Sequence, residues 1–379
     1  MASFDVLVIG GGPAGATAAL LLARTGRSVA VVEKAAFPRR KVCGEFIAPP
    51  AASFLRSLGM QLEPEVRRIS VWAGKRVLQA PMPAPYASTM ARECLDEFLL
   101  KRAAESGATV FQPLKVVSLE QSSSGFACKT EASTTLEARA VIAAHGSWEP
   151  GALPTQARRS APQASDLLAF KAHFTGVALG RDTIALVPFA GGYGGVLMLG
   201  DGRATFACCI RRDALAILRR PGVAAGEGVL LHALSTSAGL GEAFMGAQRD
   251  GAWLASGPLR PGVRPPCRDG VFAVGNAAGE VHPVVGQGIS LAISSAALLC
   301  RALETGASPR VYEEQCRKLY ARALWPSALI THLAPAARLL AAAPWLLTLG
   351  AKLAAVPEQS PGGLHEGALL ARQEGHPLR

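Results

Sequence analysis

The chain opens with an unbroken apolar run at 6–9, followed by small residues, an Ala- and Leu-rich segment, and a second apolar run at 29–32. Consecutive apolar residues bounded by turn formers predict strands buried on both faces, and the segment between them predicts a helix. The join reads Gly10-x-Gly12-x-x-Gly15, with Pro13 and Ala14 inside it. Gly10 permits a tight turn, Gly12 lets the backbone approach a pyrophosphate, and Gly15 lets the helix pack closely on the sheet. Ala19 keeps the helix face small, and Gly26 stops the helix. The second run ends in Glu33, where a carboxylate accepts hydrogen bonds from a ribose. Strand, turn, helix, strand and acid in one register predict a dinucleotide-binding βαβ unit.

The alternation continues downstream. Residues 92–107 predict a helix with Leu95, Phe98 and Leu99 on one face and Gly107 as its stop. Strands follow and end near His145, and a Pro- and Gly-bearing stretch at 150–162 predicts a crossing into a second region. Strand-like runs at 166–174, 183–189, 195–199 and 204–210 predict a sheet there, interrupted by one or two helices. Lys171 and His173 alternate with Phe170 and Phe174, so one pair faces a pocket, and the pattern leaves open which. A buried strand then leads into Gly275 and Asn276, and His282, Pro283, Gly286 and Gly288 precede a helix at 289–299. The expected fold is α/β (α+β overall). A Rossmann-like βαβ cofactor domain, residues 1–160 and 261–320, interlocks with a smaller sheet-based substrate domain at 161–260. An apolar helical region at 321–356 and a flexible tail at 357–379 complete the chain.

Of 379 residues half are hydrophobic and 18% charged, so a large core is available and global disorder is excluded. Lys and Arg outnumber Asp and Glu by 39 to 28, an excess that attracts phosphorylated cofactors or acidic lipid headgroups. No basic block interleaved with aromatics appears, so nucleic acid is not an expected partner. Eight cysteines form no Cys-x-x-Cys pair and no metal-ligand spacing. No metal is expected, and scattered thiols fit a reducing cytoplasm. The first strand starts at residue 5, which leaves no room for a leader and again predicts a cytoplasmic protein. At 325–356 the apolar stretch is cut by Pro326, Pro335, Arg338 and Pro344, too short for the ~20 residues of a membrane span. Short helices packed on the core, covering the pocket or lying on a membrane surface are the readings it leaves.

These blocks resemble the flavoproteins of the para-hydroxybenzoate hydroxylase type, and within them the geranylgeranyl-reductase and FixC-like branch, over about residues 4–320. The resemblance implies FAD on the fingerprint loop, with Glu33 at the adenosine ribose, and adds Lys34, Arg40 and Val116 as cofactor contacts. The run from Pro38 through Arg39, Lys41, Cys43 and Gly44 to Glu45 is similar to a Lys-x-Cys-Gly segment beside the flavin ring. Arg92 with Asp96 matches an arginine helix near the diphosphate. Residues 275–288 resemble a Gly-Asp segment that touches the ribityl chain and ring. Pro283 then lines the reactive edge, while Gly286, Gly288 and the N–H groups at Ile289 face the flavin N1/C2 edge. Two positions depart from the pattern. Asn276 stands where the family has Asp, and His145-Gly146 replaces an Asp-Gly pair linked with nicotinamide use. The segment 187–189 with Tyr193 is weakly similar to one over the substrate cavity, making Phe189 and Tyr193 candidate pocket residues beside His173 of the alternating strand. No tryptophan stands in a Trp-x-Trp-x-Ile-Pro signature, so halogenation is not expected.

Three side chains are candidates for chemistry. Cys43 is either a small buried hydrophobe or a proton donor beside the flavin. Glu45 donates a proton, touches substrate, or anchors its loop by pairing with Arg39, Arg40 or Lys41. His282, with an ordinary pKa near neutrality, relays a proton or caps a turn. No second glycine fingerprint exists, so electrons arrive from a visiting NAD(P)H or a reduced protein partner. The expected substrate is an apolar small molecule such as a polyketide, quinone or isoprenoid. Oxygenation (hydroxylation or epoxidation) is the first reading, double-bond reduction the second, and non-catalytic electron carriage the third.

Overall fold

The computed structural model describes residues 2–122, 125–146, 153, 155, 156 and 161–333, with 325–333 as helical backbone. Residues 334–356 of the expected apolar region, the 357–379 tail and most of the 150–162 crossing lie outside the described residues.

The first strand, Ala2–Ile9, pairs in parallel with Val29–Val32 on one side and Thr135–Ala143 on the other. Thr109–Phe111 and Val271–Ala273 extend the parallel sheet outward. Val6, Leu7, Val8 and the whole of Val29–Val32 are buried, as strands covered on both faces must be. Helix Pro13–Arg24 packs between Arg92–Glu105 and Gly288–Glu304. The small face read at Ala19 extends along this helix, and Cys300 Sγ reaches the Ala18 carbonyl at 3.6 Å. The third of these helices runs five residues beyond the predicted end, because the next stop is Gly306 at φ +64°. The last helix, Pro309–Leu333, ties the return segment down. Buried Tyr312 donates to the Ala273 carbonyl at 2.5 Å, and buried Tyr320 to the Gly275 carbonyl at 2.7 Å.

A second, seven-stranded sheet runs in the order Gln248–Leu259, Leu167–Thr175, Ala204–Arg211, Gly192–Met198, Thr183–Phe189, Arg68–Ala73, Arg76–Pro81. The last two strands correct the expected domain limits. Residues 68–81 come from the stretch assigned to the cofactor domain, yet Arg68 pairs with Thr183 and Val71 with Leu186. Their alternation marks them as strands, but nothing local says which sheet they join. Three helices, Arg212–Leu218, Ala225–Thr236 and Ala238–Ala243, replace the expected one or two.

Period-2 alternation divides this sheet into two faces. Phe170, Phe174, Val187, Val196, Phe206 and Leu230 of the covering helices share one core. There Phe174 meets Phe244 edge-on at 5.1 Å, an arrangement worth about 0.5–1.5 kcal/mol beyond area burial. The opposite face presents Lys171, His173, Thr205, Cys209 and Tyr193, and Val42 and Phe46 of the cofactor side pack along it. The seam between the two sheets therefore runs along residues 42–46.

Candidate functional site: the glycine loop and the seam

Gly10 adopts φ +108°, and a Cβ there would lie 2.6 Å from the Ala144 carbonyl oxygen. A Cβ on Gly15 would lie 1.9 Å from the Gly10 oxygen, so both positions require glycine for closure of the turn. Gly12 differs: a Cβ there would meet nothing within 4 Å. It caps helix Pro13–Arg24, whose first turn holds no acidic residue and receives no hydrogen bond from its cap side chain. Pro13 occupies the first turn, where its missing N–H costs nothing. The result is an open helix start suited to an anion.

Glu33, buried, accepts hydrogen bonds from Gly11 N–H at 2.8 Å and Ala35 N–H at 2.9 Å. Arg39 reaches it at 3.4 Å and stacks its guanidinium over Phe37 at 4.8 Å. Arg39 Nε, buried, finds no hydrogen-bond partner among the described residues. Lys41 is surrounded by cations. Burial, reinforced by Arg39, Arg92 and Lys34 and opposed by Glu33, lowers its pKa to about 8. Lys34 itself is exposed, and Val116 is buried at the start of strand Val116–Ser122. An open helix start, an unsatisfied guanidine nitrogen and crowded cations fit the diphosphate and ribose of FAD.

Arg40 points elsewhere. Its guanidinium meets Glu93 at 3.1 Å, Asp250 Oδ2 at 2.8 Å and the Asp250 carbonyl at 2.7 Å. It therefore bridges to the second sheet, a correction to its expected place among cofactor contacts.

Glu45 lies at the centre of the seam, fully buried and at φ +59°. It pairs with none of Arg39, Arg40 or Lys41. One oxygen accepts from Lys171 Nζ and, at 2.8 Å, from the Arg92 backbone N–H. The other accepts from Thr205 Oγ1 and, at 2.8 Å, from His173 Nε2. Burial opposes the charge, but the His173 hydrogen bond and the Lys171 ammonium outweigh it and hold the carboxyl at about 2. Glu45 is thus an ionised acceptor and does not suit the proton-donor role considered for it. His173 belongs to this knot rather than to an open pocket wall, with Nδ1 facing Arg203 Nη1 at 3.3 Å. Arg203 goes on to Glu93 at 2.7 Å and Asp250 at 3.3 Å.

Arg92 heads its helix and forms a two-pronged pair with buried Asp96, at 2.7 and 2.8 Å. The Cys43 thiol lies beside its guanidinium. Cys43 is partly buried against the cofactor core, and its sulfur accepts the Glu45 N–H at 3.3 Å. Tyr193 stands on the seam face, its hydroxyl 3.3 Å from His282 Nδ1. Burial keeps the phenol protonated, and burial lowers His282 to about 4. His282 Nδ1 also accepts the Val284 N–H at 3.4 Å. Of the two roles considered for His282, the ring therefore takes that of the turn cap, and its low pKa disfavours proton relay near neutrality. Phe189 is a further correction. It lies on the opposite face from Tyr193, edge-on to His232 at 5.8 Å, because adjacent strand positions alternate.

Gly286, in the left-handed region at φ +65°, has Phe46 where a Cβ would go, at 2.8 Å. Gly288 opens helix Gly288–Glu304 with nothing within 4 Å of such a Cβ, and buried Ile289 follows. Pro283 is exposed at the head of the short helical turn Pro283–Val285. Gly275 acts as a joint: its N–H donates to Ser295 Oγ at 2.9 Å, its carbonyl serves Tyr320, and a Cβ would strike Ala14 at 2.8 Å. Asn276 Nδ2 donates to buried Glu280 at 3.3 Å.

Sequence reasoning placed the glycines and the Arg92 pair but missed Lys171 and Thr205 as partners of Glu45, and Arg203 behind His173. A lysine and a histidine two apart on an otherwise apolar strand was the available signal.

The glycine turn, the two open helix starts and the cation cluster together define a nucleotide-binding flavoprotein. Residues 3–165 match the FAD binding domain family. A menaquinone reductase of Mycolicibacterium smegmatis is 30% identical over 333 residues, covering 80% of this chain and 76% of that one. The chain belongs to the FAD-dependent oxidoreductases and is an enzyme of that family. Among solved structures, a flavin-dependent brominase superposes with a TM-score of 0.74 at 16% identity, covering 98% of this chain and all of that one (100%). A geranylgeranyl bacteriochlorophyll reductase-like protein of Thermoplasma acidophilum gives 0.66 at 20% identity, covering 96% and 90%. At such identities these two establish a shared fold. Among the described residues no helix is long and apolar enough to cross a membrane.

Proposed function

We propose that this enzyme uses FAD to reduce a carbon–carbon double bond in an apolar, quinone- or isoprenoid-like molecule, with electrons from NAD(P)H or a reduced protein partner. The observation that carries the reading is the likeness to a menaquinone reductase across four-fifths of the chain (80%), too long to reflect the cofactor domain alone. It favours reduction over oxygenation and points to a quinone-like substrate. When bound, reduced FAD supplies the hydride equivalent.

The chain's own residues bind, orient and protonate. The N–H groups at Gly12 and the start of helix Pro13–Arg24 would hold the diphosphate, with Lys41 and Arg92 as counter-charges. Glu33 and Arg39 would hold the ribose, and the N–H groups at Gly288 and Ile289 the carbonyl edge of the ring. The double bond needs a proton on its second carbon and a group to hold the substrate, and the seam offers a side chain for each. Cys43, beside Arg92, would donate it from its thiol. Tyr193, braced by His282, would orient the substrate by hydrogen bonding. The small, partly exposed residues Gly195 and Ala207, paired in the middle of the seam face, would be the floor against which an apolar body lies.

Turnover under argon with menaquinone as the probe and NADPH as the electron donor tests the reading. A product two hydrogens heavier in its side chain rather than its ring, formed without oxygen, is expected. A product that forms only in air and carries an added oxygen atom would overturn it in favour of oxygenation. Cys43→Ala should retain FAD and lose at least tenfold in turnover; an unchanged rate would remove the thiol from the mechanism.

A further inference from the structure

Most hydrogen-bond partners of the Glu45 carboxylate lie on the second sheet, yet the backbone group it caps belongs to the cofactor side. Helix Arg92–Glu105 begins at Ala91, whose side chain makes no capping bond. The Glu45 carboxylate takes that place from outside, accepting the Arg92 N–H at 2.8 Å. A negative charge at a helix start is favoured by the exposed N–H groups and the helix dipole. The same carboxylate is gripped by Lys171, His173 and Thr205, from two adjacent strands of the other sheet. Glu45 holds this place in the left-handed backbone region, φ +59°, which non-glycine residues adopt at a cost. Such a conformation persists only where the surroundings fix it. Its N–H donates to Cys43 Sγ and its carbonyl accepts from Met90 N–H at 3.1 Å, so the loop is pinned at both ends of the residue.

We infer that Glu45 is a positioning residue that couples the substrate-facing sheet to FAD affinity: Lys171 and His173 hold Glu45, and Glu45 holds the Arg92 helix start and the Cys43 thiol against the cofactor. The inference rests on the proposed placement of Arg92 at the cofactor but not on the reaction type. It makes Lys171, on a strand of the other sheet, a determinant of cofactor binding. Lys171→Met leaves the buried carboxylate unbalanced, so it swings away or takes a proton, and the helix start loses its cap.

The test is FAD titration of the full chain, freed of cofactor, followed by quenching of FAD fluorescence, with the visible spectrum of bound FAD as a second readout. Lys171→Met is expected to raise the FAD dissociation constant at least tenfold and shift the spectrum. Glu45→Leu/Lys171→Met removes both charges and the acceptor. It should melt near the wild-type temperature and still bind FAD at least tenfold more weakly. Glu45→Gln/Lys171→Met keeps an oxygen for the Arg92 N–H and should recover most of the affinity. Wild-type affinity and spectrum in the Leu/Met pair would overturn the coupling, as would equal affinity in Lys171→Met and wild type. If the Leu/Met pair does not fold, the Gln/Met pair decides: tighter binding than Lys171→Met alone supports the coupling, and no gain refutes it. The titration contains no substrate, so its outcome stands apart from the anaerobic turnover that tests the proposed reaction.

Discussion

Two glycines three residues apart serve different ends, and substitution separates them. Gly15→Ala places a methyl 1.9 Å from the Gly10 carbonyl oxygen, a backbone clash costing several kcal/mol, on the order of ~3 or more. Gly12→Ala meets open space at an ordinary φ of −70°. Its melting temperature should stay within a few degrees of wild type, while FAD affinity falls because the methyl occupies the approach to the helix start. Equal loss of stability in both variants would refute this division. Lys41 adds a pH dependence. Its pKa, lowered to about 8 by burial and by neighbouring cations, should rise when the anionic diphosphate binds. FAD affinity is then flat below about pH 8 and falls as pH climbs above it, which titrations from pH 6 to 10 can check. Lys41→Met should flatten the profile. These residues were legible because their demands are local: a turn, a close approach, an acid after a strand. The partners of Glu45 were not, because Lys171 lies 126 residues away and Thr205 160.

At the scale of elements, the Arg92 helix and the last helix show how remote groups finish local structure. Glu45 caps the first, and its acidity sets a window. The folded-state pKa of about 2 lies below the ordinary 4.5. The contribution is therefore complete above about pH 4.5 and lost as pH falls from there toward 2. Thermal melts across that range should show a step that Glu45→Gln/Lys171→Met lacks. Tyr320 in the last helix satisfies the buried Gly275 carbonyl. Tyr320→Phe should cost about 1–3 kcal/mol, the penalty of an unmet buried acceptor, measured by urea unfolding. Element types followed the apolar periodicity closely at 183–189 and 204–210, since alternation is an intrinsic record of a two-faced strand. The allegiance of 68–81 did not, because pairing partners are chosen by the whole chain rather than by the segment.

Across the whole molecule, the parallel sheet and its cofactor loop were legible from one end of the chain, and the second sheet from its strands. The seam between them was not, since it exists only once residues 38–45, 92–96, 167–175 and 203–211 are brought together. Its electrostatics change from rim to centre. Asp201 and Asp250 keep 45% and 37% of their side-chain surface, whereas Lys171 and Glu45 keep 1% and none (0%). Solvated pairs are screened when the Debye length shrinks to about 3 Å at 1 M salt, and dry ones much less. Brine should therefore fray the border of the joint while its middle stays bolted. A large oily guest would gain easier entry between the two halves at high ionic strength, with the protein still yellow.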